Sequence, residues 1–385
     1  MTISRKTFLR VLGGGAIAAA ASVVVVPRLD AMPAIAVEGW KGPADAERDP
    51  RRRALSWALL APNPHNLQSW SVDLREPGAI TLYVDRAKLL PHTDPFSRQI
   101  LIGHGCFLEI LSMALAVEGY RADIVLFPAG PFGDEQVDDR PVARVTLTKA
   151  AGIAGDPLFA QVPRRRTVKT RFEARDLAPA HRDALLANQS GGAATPMLAR
   201  DAAQVDRLRA LCVAGSDIEM TTHRTHKESI DVARVGAAQI AEHRDGISLK
   251  GPMIWTLRHA GLMTPEKAMT PGTMAFAGGR DYALGGYASA RTFGWMTTPD
   301  NARATQIATG RAFVRLALKA TELGVAVQPH SQTLQEYPEM AKLRAAMRAE
   351  TGTAEGATLQ MLFRLGYAGD PGPSPRRPLD RIVRI

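Results

Sequence analysis

Residues 61–70 read Ala61-Pro62-Asn63-Pro64-His65-Asn66-Leu67-Gln68-Ser69-Trp70. Proline lacks a backbone N–H and clashes with the preceding turn, so the two prolines end the helical pattern before them. That pattern covers residues 51–60, with Leu55 and Leu59 on one apolar face. After the loop, Trp70, Val72 and Leu74 alternate with polar residues and the chain turns at Glu76-Pro77-Gly78. Ile80, Leu82 and Val84 then alternate again, which is a β-hairpin pattern. A helix, a stiff amide-rich loop and a hairpin thus open the first unit. Such a loop can present donors and acceptors to a flat heterocycle, and it reads equally as a capped helix end.

Working outward, residues 98–119 predict a long, largely apolar helix stopped by Gly119. Residues 124–127 and 143–147 predict strands, which makes residues 45–150 an α+β unit. A second unit begins near the basic run Arg164-Arg165-Arg166. Helical patterns cover residues 179–187, 202–213, 301–323 and 336–350, and residues 359–365 form a short apolar strand. Residues 250–300 are rich in methionine and aromatics, among them Met253, Trp255, Met263, Phe276 and Trp295. They suit an adaptable lid over a pocket and read equally as a satellite core. The element order of the first unit recurs more loosely in the second, which points to internal duplication.

The chain has 385 residues, 45% of them apolar and 22% charged, enough for two or three domains. This balance excludes wholesale disorder and a polytopic membrane protein. Cys106 and Cys212 are the sole cysteines, which excludes a disulfide scaffold and any multi-cysteine metal or iron–sulfur site. Residues 1–36 read as an export signal: Arg5, Lys6 and Arg10 precede the uncharged stretch 11–26, Pro27 breaks it, and Ala34-Ile35-Ala36 offers a small-x-small cleavage site. Ser4-Arg5-Lys6-Thr7-Phe8-Leu9 resembles a twin-arginine signal, with Lys6 where a second arginine is expected. The expectation is export through the twin-arginine machinery to the periplasm, with no stable membrane span after processing. An uncleaved membrane anchor is the alternative. Removing the segment lowers the net charge from +10 to +7. The remaining basic residues lack the aromatic interleaving of a nucleic-acid module, so no nucleic-acid partner is expected.

Familiar catalytic motifs are missing: there is no phosphate-binding P-loop and no nucleophile elbow. Gly278-Gly279 and Gly285-Gly286 lack the strand-before, helix-after context of a dinucleotide fold. His223, His226 and Glu228 match no metal spacing with a mechanism and read as solvated helix residues, so no metal is expected. Two other segments stand beside the 61–70 loop. Arg165, Thr167 and Lys169 put two cations and a hydroxyl on alternate positions. Arg376-Arg377 follow the last strand and a proline-rich linker. Cations and hydroxyls of this kind favour a phosphate through charge-assisted hydrogen bonds.

Together these segments resemble the nitroreductase-like FMN-binding oxidoreductases, specifically an exported subgroup with two fused halves, often called Acg-type. The family carries Ala-Pro-Ser-x-His-Asn-x-Gln-Pro-Trp after its first helix; Asn63 and Ser69 replace the usual Ser and Pro. Asp94-Pro95-Phe96-Ser97-Arg98-Gln99 resembles the family's Asp-Pro-x-x-Arg segment. Pro329-His330-Ser331-Gln332, Phe363-Arg364-Leu365-Gly366-Tyr367 and Arg376-Arg377-Pro378-Leu379 match its C-terminal half. The resemblance implies a nitroreductase-like α+β fold whose two halves, 37–150 and 151–385, form a pseudo-dimer of mainly antiparallel sheets packed with helices.

It further implies one FMN per chain, because the loop lies in the first half and both basic elements lie in the second. Arg165, Thr167, Lys169, Arg376 and Arg377 would hold the phosphate or ribityl region. Asn63, Pro64, His65, Asn66 and Gln68 would line the ring, with Ser331 and Gln332 nearby. Arg98 would place a cation near N1 and O2 of the flavin. No protein nucleophile is needed, since the cofactor carries hydride or electrons to a small acceptor such as a nitroaromatic or quinone. The electron donor is left unnamed, and a non-catalytic flavin-binding or flavin-sequestering protein is the alternative.

Overall fold

The computed structural model describes residues 30–187 and 194–384. Helix α1 (Pro50–Ala58) starts where the Asp49 side chain accepts the Arg51 N–H, with Pro50 at its first position. Strands β1 (Trp70–Asp73) and β2 (Ala79–Val84) form the expected hairpin, pairing Trp70 with Val84 and Val72 with Leu82. Helix α2 (Arg98–Val117) follows, then β3 (Tyr120–Leu126) and β4 (Ala143–Lys149). These strands make one antiparallel sheet in the order β1-β2-β4-β3.

The second half contributes α3 (Pro179–Ala187), β5 (Thr195–Leu198), β8 (Thr292–Thr298), α10 (Arg303–Glu322), β9 (Ala326–His330), α11 (Ala341–Glu350) and β10 (Thr358–Gly366). Its sheet runs β5-β8-β10-β9, all antiparallel. First strand for first, second for second, the two orders are the same. The duplication expected from the sequence is therefore present in the topology. Where the first half has a tight hairpin turn between β1 and β2, the second inserts residues 199–291. The insert holds α4 (Ala202–Thr221), α5 (His223–Asp231), a two-stranded parallel pair β6 (Ala233–Val235) and β7 (Ile247–Leu249), and the helices α6 (Ala237–His243), α7 (Pro252–His259), α8 (Pro265–Met269) and α9 (Met274–Ala288).

The halves meet along α2 and α10. Arg98, Ile102 and Gly105 on α2 have Arg303, Ile307 and Gly310 at the same spacing on α10. A Cβ on Gly105 would run into the Ile307 carbonyl, and one on Gly310 into the Ile102 carbonyl. Only glycine lets two helix backbones cross this closely. Leu101, Phe107 and Leu111 of α2 share one core with Ile80 and Val145 of the first sheet and Phe363 and Leu365 of the second. Helix α2 is apolar and long enough to span a bilayer, but its side chains are mostly buried in this core. The C-terminal tail then crosses back: Val72 N–H donates to Ile382 O at 2.8 Å, and Arg384 N–H to Val72 O at 2.7 Å.

Two expectations need correction. The methionine-rich region 250–300 is not wholly irregular, because residues 292–298 form the central strand β8. His226 and Glu228 are buried rather than solvated, and Glu228 accepts the backbone N–H groups of His92 and Thr93. Most of the expected export signal, residues 1–29, lies outside the described residues. The proposed cleavage site does not: Ala34–Ala36 is a short 3-10 turn, Ala36 is fully buried, and its carbonyl accepts the Arg376 N–H at 2.8 Å.

Candidate cofactor site

The 61–70 loop owes its shape to three departures from ordinary backbone within four residues. His65, Asn66 and Gln68 have φ of 47°, 56° and 55°, in the left-handed region that non-glycine residues seldom enter. The strain is held by a hydrogen-bond frame. Asn63 Oδ1 accepts the Gln68 N–H at 2.8 Å, and Asn63 Nδ2 donates to Ala61 O at 3.1 Å. Asn66 Nδ2 donates to Pro375 O at 3.1 Å, and its Oδ1 accepts from Arg376 at 2.6 Å. Gln68 is fully buried; its Nε2 donates to Arg244 O, and its Oε1 accepts the Arg377 N–H at 2.8 Å. The first-half loop and the C-terminal pair are thus brought together, 310 positions apart in sequence.

Arg165 and Arg376 converge on one carbonyl, each donating to Leu60 O, at 3.0 and 3.2 Å. Arg165 also reaches Thr167 Oγ1 at 3.4 Å. Arg166 completes a cluster of three guanidiniums. Burial lowers all three pKa values, Arg165 to about 10, and repulsion from neighbouring arginines adds to the lowering at Arg165 and Arg376. The carboxylate in reach is Asp370, 3.6 Å from Arg166 and 68% exposed. The Nε–H groups of Arg165, Arg166 and Arg376 are buried without an acceptor. Buried cations with so little countercharge are costly, and a bound phosphate is the group that offsets such a cost. The residues present fit one.

Two alternate residues beyond Thr167's partner, Lys169 has an exposed ammonium that makes no hydrogen bond or ion pair with any described residue. Surrounding protein still lowers its pKa, while the Glu219 carboxylate pulls it back up. His65 lies close enough to feel this charge: burial first, and the Lys169 charge second, push its imidazole down to about 4. At neutral pH it is an uncharged ring beside a cation. Lys169 is positioned from below by Arg364, fully buried in β10, which donates to Thr170 O at 2.6 Å and Val168 O at 3.2 Å.

Two expected site residues are tied into the fold. Arg98 is 3% exposed and donates to Leu334 O at 2.7 Å and Gln360 O at 3.0 Å, with Glu336 at 3.3 Å. It clamps α2 to the second half, with both Nη groups bonded and Nε facing Glu336 without a hydrogen bond. The Lys169 ammonium makes no such bond to a described residue. Arg377 donates to Gln68 O and Asp85, both at 3.2 Å, and to Arg381 O at 2.9 Å, so it ties the tail to the loop. Ser331 and Gln332 lie at the end of β9, beside the buried carboxyl of Glu219, which burial raises to about 6 and Gln335 Nε2 meets at 2.6 Å.

Sequence reasoning missed Trp40, Arg166, Glu219 and the supporting role of Arg364. Only Arg364 left a clear signal, as a charge inside an otherwise apolar strand. A recess of about 410 Å³ lined by Phe96, Asp134, Asn301, Gln306 and Glu336 lies at the starts of α2 and α10 and shares no residue with this site.

Comparison with known proteins bears on this geometry. No family model matches the chain. A Mycobacterium tuberculosis protein provisionally named an NAD(P)H nitroreductase is 29% identical over 367 residues, covering 90% of this chain and 96% of its own. A match of that length takes in most of both halves. The chain is nitroreductase-like. A second M. tuberculosis protein, provisionally named NAD(P)H nitroreductase acg, is 26% identical over 348 residues, covering 87% of this nitroreductase-like chain and 95% of its own. Among solved structures, an FMN-dependent nitroreductase from Mycobacterium smegmatis in complex with NADPH aligns with 19% identity and a TM-score of 0.35, over 58% of this chain and 96% of that one. A nitroreductase with bound FMN from Bacteroides fragilis aligns with 13% identity and a TM-score of 0.35, over 58% and 94%.

Proposed function

We propose that the chain is an FMN-dependent oxidoreductase of the nitroreductase type, one FMN per chain, acting on a small acceptor such as a nitroaromatic or quinone. The observation that carries the reading is the cluster of buried Arg165 and Arg376 with half-buried Arg166, which has the exposed Asp370 as the carboxylate in reach among the described residues. Lys169 and neutral His65 lie near each other on the adjoining segments. A ligand with a phosphate at one end and a flat heterocycle that gains negative charge on reduction at the other matches both. When bound, FMN supplies two-electron redox chemistry.

The protein's own residues bind and orient. The arginine cluster and Thr167 hold the phosphate end. Lys169 puts a cation at the ring end, where the Glu219 carboxylate partly offsets the effect of burial on its charge. The framed loop of Asn63, Asn66 and Gln68 fixes the other side of the site. Because the loop belongs to the first half and the cations to the second, one chain builds one site. The relatives' names support this reading, as does the length over which they align.

The test is direct. Protein purified from cells is expected to carry non-covalent FMN near one per chain and to bleach with a reductant under anaerobic conditions. Added acceptor should restore the colour. A colourless protein that takes up no FMN on titration rejects the proposal; a yellow protein that no acceptor reoxidises is a flavin carrier. Residues 4–26 support export by the twin-arginine route to the periplasm, where nicotinamide donors are not expected. Fractionation showing a cytoplasmic product of full length rejects that part.

A further inference from the structure

Trp40 was not singled out by the sequence, yet it occupies a particular place. It lies in the 3-10 turn Glu38–Lys41 and is 8% exposed. Its Nε1–H donates to Ser374 O at 2.7 Å. Its ring lies 4.3 Å from the Arg166 guanidinium and 4.9 Å from that of Arg376. The backbone around it is tied to the same arginine, through Arg376 N–H to Ala36 O and through Gly39, where a Cβ would already touch Arg376 Cβ at 3.4 Å. Gly42, at φ of 82°, then turns the chain away beneath the Trp57 ring, a path closed to any side chain.

We propose that residues 36–41 form a strap over the phosphate end of the cofactor site, with Trp40 the positioning residue that holds Arg166 and Arg376 for a phosphate. The inference rests on the flavin reading above. Its chemistry is specific. Two like charges held side by side need a partner, and a carboxylate there would consume their donors. The electron-rich face of an indole steadies both guanidiniums without accepting their N–H groups. Arg376 Nη1 and Nη2 already bond Asn66, Ser374, Pro375 and Leu60, and Arg166 Nη1 bonds Pro163 O and Arg165 O, but the Nε–H of each arginine keeps no acceptor and is left for a phosphate. The strap also makes the first half contribute to the phosphate end, which was assigned wholly to the second.

The experiment compares FMN with riboflavin, which lacks the phosphate, on the full chain. Trp40→Leu keeps an apolar side chain and removes the π-face; Trp40→Phe keeps a face and removes the Ser374 bond. Trp40→Leu is expected to weaken FMN binding about tenfold and leave riboflavin binding unchanged, with Trp40→Phe in between. Equal losses for both flavins would show that Trp40 merely supports the fold, and unchanged FMN binding would show that it does nothing here; either overturns the proposal. If the wild type takes up neither flavin, the flavin reading fails, and inorganic phosphate decides the strap. Phosphate should slow tryptic cleavage after Lys41 in the wild type and not in Trp40→Leu. Equal cleavage in both proteins, with and without phosphate, overturns it.

Discussion

Replacing Lys169 by Met separates binding from stability, because the two are expected to move in opposite directions. In the ligand-free protein the Lys169 ammonium makes no hydrogen bond or ion pair with a described residue, and its surroundings disfavour its charge. Its folded pKa lies below the unfolded value, so the charged form is less favourable folded than unfolded. Removing that charge takes away no bond and relieves desolvation; the apo protein should melt at the same temperature or higher. Binding should suffer. A charged hydrogen bond contributes about 1.5–3 kcal/mol, so FMN affinity should fall roughly 10- to 150-fold. The assay is quenching of FMN fluorescence at fixed salt, beside calorimetry of the apo variant. A Lys169→Met protein that melts several degrees lower and binds FMN like the wild type would refute the reasoning, since it would make Lys169 a structural residue outside the site.

Arg98→Met should behave in the contrary way: it strands the Leu334 and Gln360 carbonyls, costing about 3 kcal/mol or more in urea unfolding, while FMN affinity of the folded fraction holds. Gly310→Ala should lose at least about 1 kcal/mol, because overpacking against a backbone carbonyl outweighs the helical preference of alanine. Gly278→Ala on the open face of α9 is its control and should be neutral or slightly stabilising. For His65, whose folded pKa of about 4 lies below the unfolded 6.5, the unfolded state takes up the proton first. Stability should therefore fall as pH drops from about 6.5 to 4 and level off below; His65→Asn, which tolerates the left-handed backbone, should flatten that slope in urea midpoints measured across the range.

What the sequence displayed and what it hid follow from how many faces of an element are solvated. The hairpin 70–84 was legible because each strand buries one face, as the alternating burial of Trp70 to Asp73 shows. Strand β8 buries Thr292 to Met296 in succession, being covered on both faces, and its apolar run merged with the methionine-rich stretch before it. The helical pattern predicted over residues 202–213 continues to Thr221 in α4, where Ser216 and Glu219 are buried and Glu219 meets Gln335. At the site, the loop and the cations were legible as residue types. Which cations are free was not. Arg98 follows a motif and looks like a ligand, and its carbonyl partners lie as far as 262 positions away.

The same distances explain why the site needs one continuous chain rather than two loosely joined halves. The loop is framed by Asn66 and Gln68, and both reach into the C-terminal tail. That tail is fixed in turn by Val72 of the first sheet and by Ala36 before it. The arginine cluster draws Arg165 and Arg166 from the start of the second half, Arg376 from its end, and a shared acceptor, Leu60 O, from the first. No subset of these elements builds the site alone. The register of all of them is set where α2 and α10 cross at Gly105 and Gly310. A residue that forced those helices apart would shift the loop against the cations. Gly310→Ala should then weaken FMN binding as well as folding, although the glycine belongs to neither wall of the site. FMN affinity measured in the folded fraction checks this, and an affinity equal to the wild type would show that the site is built locally and not by the crossing.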